Sequence, residues 1–147
     1  MSTETDAFDL LFKKYGEMYS VDAMFLKAQI RQESNFDPFA VSPHGAKGIA
    51  QFMDSTFNEW STKLGLHNAS PFNPEDAIHV QAAYMADLHK QWDDTAKTLA
   101  AYNWGTGHLQ WLLAHLKDIV HWLTFTPTET QRYVAAIMEF WQEYRIS

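Results

Sequence analysis

The chain has 147 residues, of which 46% are hydrophobic and 15% aromatic, which suits one packed domain or two lobes of one domain around a cleft. Its formal net charge of −7 argues against a surface that follows nucleic-acid phosphates. No apolar run approaches the ~20 residues that span a bilayer, and the absence of cysteine excludes disulfides and thiolate chemistry. We therefore expect residues 1–147 to form a single monomeric domain with no nucleic-acid partner and no integral membrane segment.

Helical periodicity dominates the beginning of the chain. Apolar residues at steps of three and four predict a first helix over about residues 8–18 and a second over about residues 22–35. The second helix carries Leu26, Ile30 and Glu33 on one face. The carboxyl of Glu33 is therefore expected to point toward apolar surroundings.

Glycine and proline then interrupt the helical pattern. Residues 36–53 are predicted to be extended or looping, and any β structure is expected to be short and confined to about residues 49–52. A third helix is predicted over residues 55–64, with aromatic and aliphatic side chains inward and Gly65 as its stop.

The second half of the chain is predicted to be almost entirely helical. The run Asn-Pro-Glu-Asp at residues 73–76 combines a capping amide, a first-turn proline and acids that match the helix dipole, and predicts a helix running to about Trp92. A short helix ends at Gly105, and leucines predict another over about residues 109–123. Thr-Pro-Thr-Glu predicts a capping box that opens a final helix over residues 126–144. The predicted fold class is mainly α.

Glu33 is the first candidate for chemistry. A helix C-terminus carries partial negative charge and apolar burial disfavours a carboxylate, so both should raise the pKa of Glu33. A raised carboxyl pKa is what a general acid needs near neutral pH. For one glutamate considered alone, however, an ordinary surface residue at a helix end is the better interpretation.

The motifs around Glu33 change that interpretation. In chain order they are Glu33-Ser34 closing the second helix, Gly-x-x-Gly-x-x-Gln from Gly45 to Gln51, Ala-Tyr-Asn-x-Gly from Ala101 to Gly105, and Glu-Thr-x-x-Tyr-Val from Glu129 to Val134. This set resembles the soluble lytic transglycosylase family of the lysozyme-like superfamily. Each motif alone is weak, but all of them in family order across about residues 22–138 argue strongly against coincidence. The resemblance implies a goose-lysozyme-like helical fold with a substrate cleft.

The resemblance also implies roles for the first two motifs. Glu33 matches the catalytic acid/base, and Ser34 is expected to orient either the helix end or the substrate. Gln51 matches a glutamine whose amide binds a sugar N-acetyl or hydroxyl group. Gly45 and Gly48 match the loop glycines, although Gly45 is equally well explained as an ordinary turn glycine.

The later motifs supply the remaining candidate residues. Tyr102 and Asn103 match cleft residues that contact the sugar next to the cleaved bond, although Tyr102 also reads as a packed core residue. Tyr133 matches a tyrosine whose hydroxyl reaches the catalytic carboxyl, with a core position as its alternative. The chain departs from the family at Ala50, which is expected to open space beside the substrate, and at Phe52, which is expected to add a ring there.

The implied activity is cleavage of the β-1,4 bond between N-acetylmuramic acid and N-acetylglucosamine in peptidoglycan glycan strands, with a 1,6-anhydromuramic product and no cofactor. A hydrolytic muramidase on the same fold is the main alternative, and it normally needs a second carboxyl. The next acids, Asp37, Asp54 and Glu59, read as loop and helix-start residues or lack family support. A non-catalytic wall-binding module is a further alternative.

A metal site is not expected. Metal-binding helices place histidines four residues apart, whereas His115 and His121 are six apart and no histidine pair has the helical spacing. Solvated or capping histidines are the better interpretation.

Action in the periplasm or cell wall follows from the implied substrate. Residues 1–6 are polar and acidic and lack the basic and apolar regions of a secretory signal. We therefore expect release by phage lysis, carriage in a virion or secretion assembly, or excision of this domain from a larger protein.

Overall fold

A computed structural model describes residues 6–146, so that only Asp6 of the polar N-terminal segment is among the described residues. The helices are α1 Asp9–Tyr19, α2 Ala23–Ser34, α3 Asp54–Lys63, α4 Pro74–Trp92, α5 Thr95–Trp104, α6 Thr106–His115 and α7 Thr128–Ile146, with a 3-10 turn at Trp122–Phe125. The mainly α fold class is confirmed. Over the described part of the chain, no helix combines the length and apolar character needed to cross a membrane.

Side-chain caps explain where three helices begin. The Asp22 carboxylate accepts a hydrogen bond from the Met24 N–H over 2.8 Å at the start of α2. Asn73 caps α4 ahead of Pro74, which confirms the predicted start signal. Asp94 caps α5 in the same way, so this helix includes a full turn and more before the Ala-Ala-Tyr run that indicated it in the sequence.

Two predicted helix boundaries are wrong. Helix α6 ends at His115 rather than near residue 123, because Leu116 adopts an extended backbone and the chain turns to bury Trp122. Helix α7 begins at Thr128, later than the predicted capping box requires. The Thr126 hydroxyl instead donates to the carbonyl of Leu123 over 2.7 Å, which closes the 3-10 turn.

The segment between α2 and α3 is a loop with two isolated β-bridges. Lys47 pairs with Val41 on one side and with Phe52 on the other. Of the β structure predicted at residues 49–52, only the bridge at Phe52 is present.

Helix α2 lies at the centre of the packing that positions the site. It packs against α1, α4 and α7, and α5 packs against α4, α6 and α7. Leu26 and Ile30 on α2 are fully buried, which confirms the predicted inner face of this helix. Glu33, one turn further along, therefore lies where α2 meets α7.

Candidate active site

Glu33 lies in the last turn of α2, and Asn35 ends that helix in the left-handed conformation that asparagine tolerates. Its side chain is only partly exposed, since α7 packs against α2. The hydroxyl of the buried Tyr133 on α7 donates a hydrogen bond to Glu33 Oε2 over 2.7 Å. The fold thus brings together a carboxyl and a phenol that lie 100 residues apart in the sequence.

The environment of Glu33 favours its neutral form. Burial raises the pKa of Glu33 from 4.5 to about 8, although the hydrogen bond from Tyr133 acts in the opposite direction. The negative charge of Glu129 adds to the increase. The direction agrees with the sequence prediction, and burial is the main cause. Glu33 is therefore protonated near neutral pH while part of its side chain stays accessible.

Ser34 and Gly48 fix the loop beside Glu33. The Ser34 hydroxyl donates to the carbonyl of Ile49 over 2.8 Å, a contact that supports the first of its two predicted roles, orienting the helix end. Gly48 has a φ of +81°, and a Cβ there would lie 1.8 Å from the carbonyl oxygen of Pro71. Only glycine fits this close approach of two backbone segments.

Part of the Gln51 side chain makes hydrogen bonds within the same loop. Its Nε2 donates to the carbonyls of Ala40 over 3.1 Å and of Gly48 over 2.9 Å. The amide nitrogen therefore stabilises the loop, and Oε1 is the part of the amide left to accept a hydrogen bond from a ligand. Gly45 has a φ of +88° with open space around its Cβ position, so its backbone conformation rather than close packing favours glycine.

Tyr102 and Asn103 lie at the end of α5, close to the loop and to α7. The Tyr102 hydroxyl donates to the carbonyl of Ala50 over 3.0 Å. Burial, followed by the charge of Glu33, raises the pKa of Tyr102 well above its usual range, which indicates that the two groups are neighbours. Asn103 Oδ1 accepts a hydrogen bond from the Thr130 hydroxyl over 2.8 Å, so its amide nitrogen is the part left for a ligand.

The expectations for Ala50 and Phe52 are wrong. Ala50 is 1% exposed and Phe52 is 3% exposed, so neither presents its side chain to a substrate. The Phe52 ring instead packs against Tyr102, with ring centroids 5.6 Å apart, and against Phe57. These rings form a buried wall behind the loop.

Sequence reasoning missed two features of this site. Glu129 and Thr130 belong to a motif identified in the sequence, but neither was given a role in the site. The spacing of Glu129 and Tyr133, four residues apart on one helix, places them on the same face and is a signal that would have linked them. The backbone carbonyl that receives the Tyr102 hydroxyl had no sequence signal.

The site lies apart from a cavity at the α1–α2 connection. A cavity of about 220 Å³ beneath the α1–α2 connection is lined by Tyr19, Phe25, His89 and Trp141 among others, and includes none of the predicted site residues. The candidate site is identified instead by the hydrogen bond between Tyr133 and Glu33 and by the raised pKa of Glu33. Among residues 6–146, no group of three or more His, Cys, Asp or Glu side chains is placed to hold a metal ion.

Known proteins share this arrangement of sequence and fold. The chain matches the family described as Transglycosylase SLT domain over residues 10–117. It is 34% identical over 115 residues to membrane-bound lytic murein transglycosylase F of Desulfosudis oleivorans, covering 74% of this chain and 24% of that protein. It is 30% identical over 148 residues to the soluble lytic murein transglycosylase of Escherichia coli, covering 95% of this chain and 23% of that protein.

Solved structures agree with the sequence matches. An X-ray structure of an inactive mutant of lytic transglycosylase Slt from Pseudomonas aeruginosa superimposes with a TM-score of 0.86 at 28% identity, covering 95% of this chain and 24% of that one. The 70-kDa soluble lytic transglycosylase of Escherichia coli gives a TM-score of 0.84 at 29% identity, covering 96% and 24%. The chain thus spans about a quarter of the length of these relatives. With its motifs, its helices and its Glu33–Tyr133 pair in place, the chain belongs to the transglycosylase SLT domain family.

Proposed function

We propose that this chain is a peptidoglycan lytic transglycosylase domain with Glu33 as its acid and then its base. The observation that carries the proposal is a single partly accessible carboxyl whose pKa is raised to about 8. Such a group holds a proton at neutral pH and can deliver it to a leaving oxygen. The names of the relatives, which are lytic transglycosylases, support the same reaction class.

In the first step, protonated Glu33 gives its proton to the oxygen that bridges C1 of N-acetylmuramic acid and N-acetylglucosamine. The bond from C1 to that oxygen breaks, and N-acetylglucosamine leaves with the proton. Positive charge develops at C1, where the substrate's own N-acetyl group can stabilise it. The new Glu33 carboxylate is stabilised by the hydrogen bond that Tyr133 donates to Oε2.

In the second step, the Glu33 carboxylate removes the proton from the C6 hydroxyl of the same muramic acid. The C6 oxygen closes onto C1, which gives the 1,6-anhydro ring and restores protonated Glu33. No water is consumed. Because the nucleophile belongs to the substrate, it has a high effective concentration and no second carboxyl is needed to activate water.

The other residues hold the glycan and the loop in this proposal. Asn103 Nδ2 and Gln51 Oε1 offer the polar atoms that their protein contacts leave for sugar hydroxyl and N-acetyl groups. Tyr102 borders the reacting carboxyl. Ser34 and Gly48 keep the loop against the end of α2.

Product analysis tests the reaction. Purified peptidoglycan is digested, and the muramic ends of the products are examined by mass spectrometry. The proposal predicts anhydromuramic ends. Ends heavier by one water would show a hydrolytic muramidase. The second carboxyl that such an enzyme needs would then be that of Glu129, whose charge acts on Glu33. No products at all, with the protein retained on the wall, would show a binding module.

The expected setting follows from the substrate. We place the activity in the periplasm or cell wall, where glycan strands lie, and we expect a single monomeric catalytic unit. Size-exclusion chromatography coupled to light scattering checks the monomer: a dimer mass would contradict it.

A further inference from the structure

Two glutamines lie fully buried behind the Glu33–Tyr133 pair, at 0% exposure each. Gln29 on α2 donates from Nε2 to the Tyr133 hydroxyl oxygen over 2.9 Å. Gln81 on α4 donates from Nε2 to Gln29 Oε1 over 2.7 Å and to the backbone carbonyl of Leu26 over 3.2 Å. A continuous chain of hydrogen bonds thus runs from a helix backbone to the carboxyl of Glu33.

The direction of this chain is fixed at its far end. A backbone carbonyl can only accept, so the end of Gln81 that faces Leu26 must be its amide nitrogen. That nitrogen needs an acceptor in Gln29, so Gln29 turns its oxygen toward Gln81 and its nitrogen toward Tyr133. An amide nitrogen has no lone pair to offer, so the Tyr133 O–H cannot point at Gln29 and points at Glu33.

Because the Tyr133 hydroxyl is fixed, the two carboxyl oxygens of Glu33 have different roles. Glu33 Oε2 accepts from Tyr133, so the transferable proton belongs on Oε1. If the Tyr133 hydroxyl could turn away, its oxygen would accept the Glu33 proton and withhold it from a substrate. The donation from Gln29 also makes the phenol a stronger donor: burial raises the pKa of Tyr133 well above its usual range, and the Gln29 hydrogen bond acts against that increase.

The glutamines also carry a structural cost. Among the described residues, Oε1 of Gln81 is buried without a hydrogen-bond partner. An incompletely paired polar group of this kind destabilises a core, and apolar side chains of similar volume would fill the same space without it. A feature that costs stability and leads directly to the reacting carboxyl points to a functional role.

We propose that Gln29 and Gln81 are positioning residues that orient the Tyr133 hydroxyl and thereby reserve Oε1 of Glu33 for proton transfer. This inference rests on the proposed role of Glu33. It predicts that both glutamines act on the reaction only through Tyr133. The other titratable groups that influence Glu33 and Tyr133, namely Glu129 and Tyr102, are untouched by changes at the glutamines.

Gln29→Met tests the proposal, because methionine keeps the length of the side chain and removes the donor. On soluble glycan fragments, kcat should fall about tenfold with KM little changed, since the carboxylate formed in the first step is less well stabilised. The basic limb of the kcat/KM profile should move to higher pH, because the pKa of Glu33 rises. Gln81→Met should show the same pattern more weakly. It removes the unpaired Oε1 of Gln81 but leaves Oε1 of Gln29 without its donor, so the thermal midpoint should change little.

A double-mutant cycle and a matched control complete the experiment. In a Tyr133→Phe background, Gln29→Met should move the pH profile no further. Thr98→Val is the matched control: it removes another buried hydrogen bond, on α5, and its pH profile should be the same as that of the wild type. A wild-type profile in Gln29→Met and Gln81→Met, or an additive shift in the double variant, would overturn the inference.

The inference can also be separated from the reaction itself. NMR titration of Glu33 in Gln29→Met should give a higher pKa than in the wild type, whether or not the wild type forms anhydro products. An unchanged titration would reject the glutamine role even if the transglycosylase reaction is established. Absence of anhydro products with a shifted titration would reject only the proposed reaction.

Discussion

Two tyrosine–glutamate pairs within residues 6–146 have similar hydrogen bonds, but the pKa values of their carboxyls shift in opposite directions. Tyr133 donates to Glu33 over 2.7 Å, and Tyr15 donates to Glu75 over 2.6 Å. Burial raises the pKa of Glu33 to about 8 despite its tyrosine. The hydrogen bonds from Tyr15 and then from Lys14 lower the pKa of Glu75, whose carboxyl is exposed.

The difference shows that a tyrosine donor does not by itself decide how a carboxyl titrates. Both phenols favour the ionised form of their partner. Glu75 adds a lysine and solvent, which favour the carboxylate further. Glu33 instead meets desolvation and the like charge of Glu129, which together outweigh the phenol. The same type of hydrogen bond therefore accompanies a protonated acid at Glu33 and a surface carboxylate at Glu75.

Replacing each of the two glutamates should give the largest difference between the two pairs. Glu33→Gln should lower turnover of glycan by roughly 10³-fold, because a neutral amide cannot give a proton to the leaving oxygen. Glu75→Gln is the matched control and should keep wild-type turnover. Initial rates measured by release of anhydromuramic ends check both variants. Wild-type activity in Glu33→Gln would defeat the assignment, and a comparable loss in Glu75→Gln would show that the assay reports folding.

The same substitution should change how stability depends on pH. The folded-state pKa of Glu33 is raised, so its stabilising contribution is complete below the ordinary value of 4.5 and is lost as pH rises toward about 8. Relative to the wild type, Glu33→Gln should therefore gain up to about 5 kcal/mol of unfolding free energy between the two ends of this range. Denaturant unfolding of both proteins at several pH values measures the gain. A constant difference would mean that Glu33 titrates normally.

The two tyrosines allow a smaller test. Tyr133→Phe removes the donor that lowers the pKa of Glu33, so the basic limb of kcat/KM should move to higher pH and plateau turnover should fall about tenfold. Tyr15→Phe should alter neither quantity. The pH–rate profiles of both variants, recorded with circular dichroism to check folding, provide the measurement. A profile identical to that of the wild type in Tyr133→Phe would remove the phenol from the mechanism.

Lys14→Met should produce the smallest effect, a change in the pKa of Glu75 alone. Loss of the ammonium should raise the pKa of Glu75 toward its ordinary value, while the titration of Glu33 stays the same. Carboxyl NMR titrations of the variant report both residues at once. A shift at Glu33 would indicate long-range coupling that the local account does not contain.

Local pattern predicted the helices and the direction of the Glu33 titration. Leu26 and Ile30 recur at helical spacing ahead of Glu33, so burial of that face could be read from the sequence. The start of α4 followed from its asparagine and proline. The end of α6 could not be read in this way, since burial of Trp122 is a tertiary effect that overrides a continuous leucine pattern.

The buried hydrogen bonds of the site could not be predicted from local sequence pattern. Gln29 and Gln81 had no sequence signal, because the two residues lie 52 apart in the chain and only the fold buries them and joins them by a hydrogen bond. The resemblance predicts that the Gln51 amide binds a sugar, and the structure adds that its nitrogen makes hydrogen bonds within the loop, which local pattern could not indicate. The resemblance to a family identified the motif residues, and only the fold shows which atoms each of them has left for a ligand.

The most direct test of the account is the titration of Glu33 itself. Protein labelled with ¹³C at glutamate carboxyls is followed by NMR across the pH range, with Glu33→Gln to assign the signal. Glu33 should titrate with a midpoint at about 8, and Glu75 in the same sample should titrate with a midpoint below its ordinary value. A Glu33 midpoint near 4.5 would contradict the account, because the carboxyl would then hold no proton to give at neutral pH.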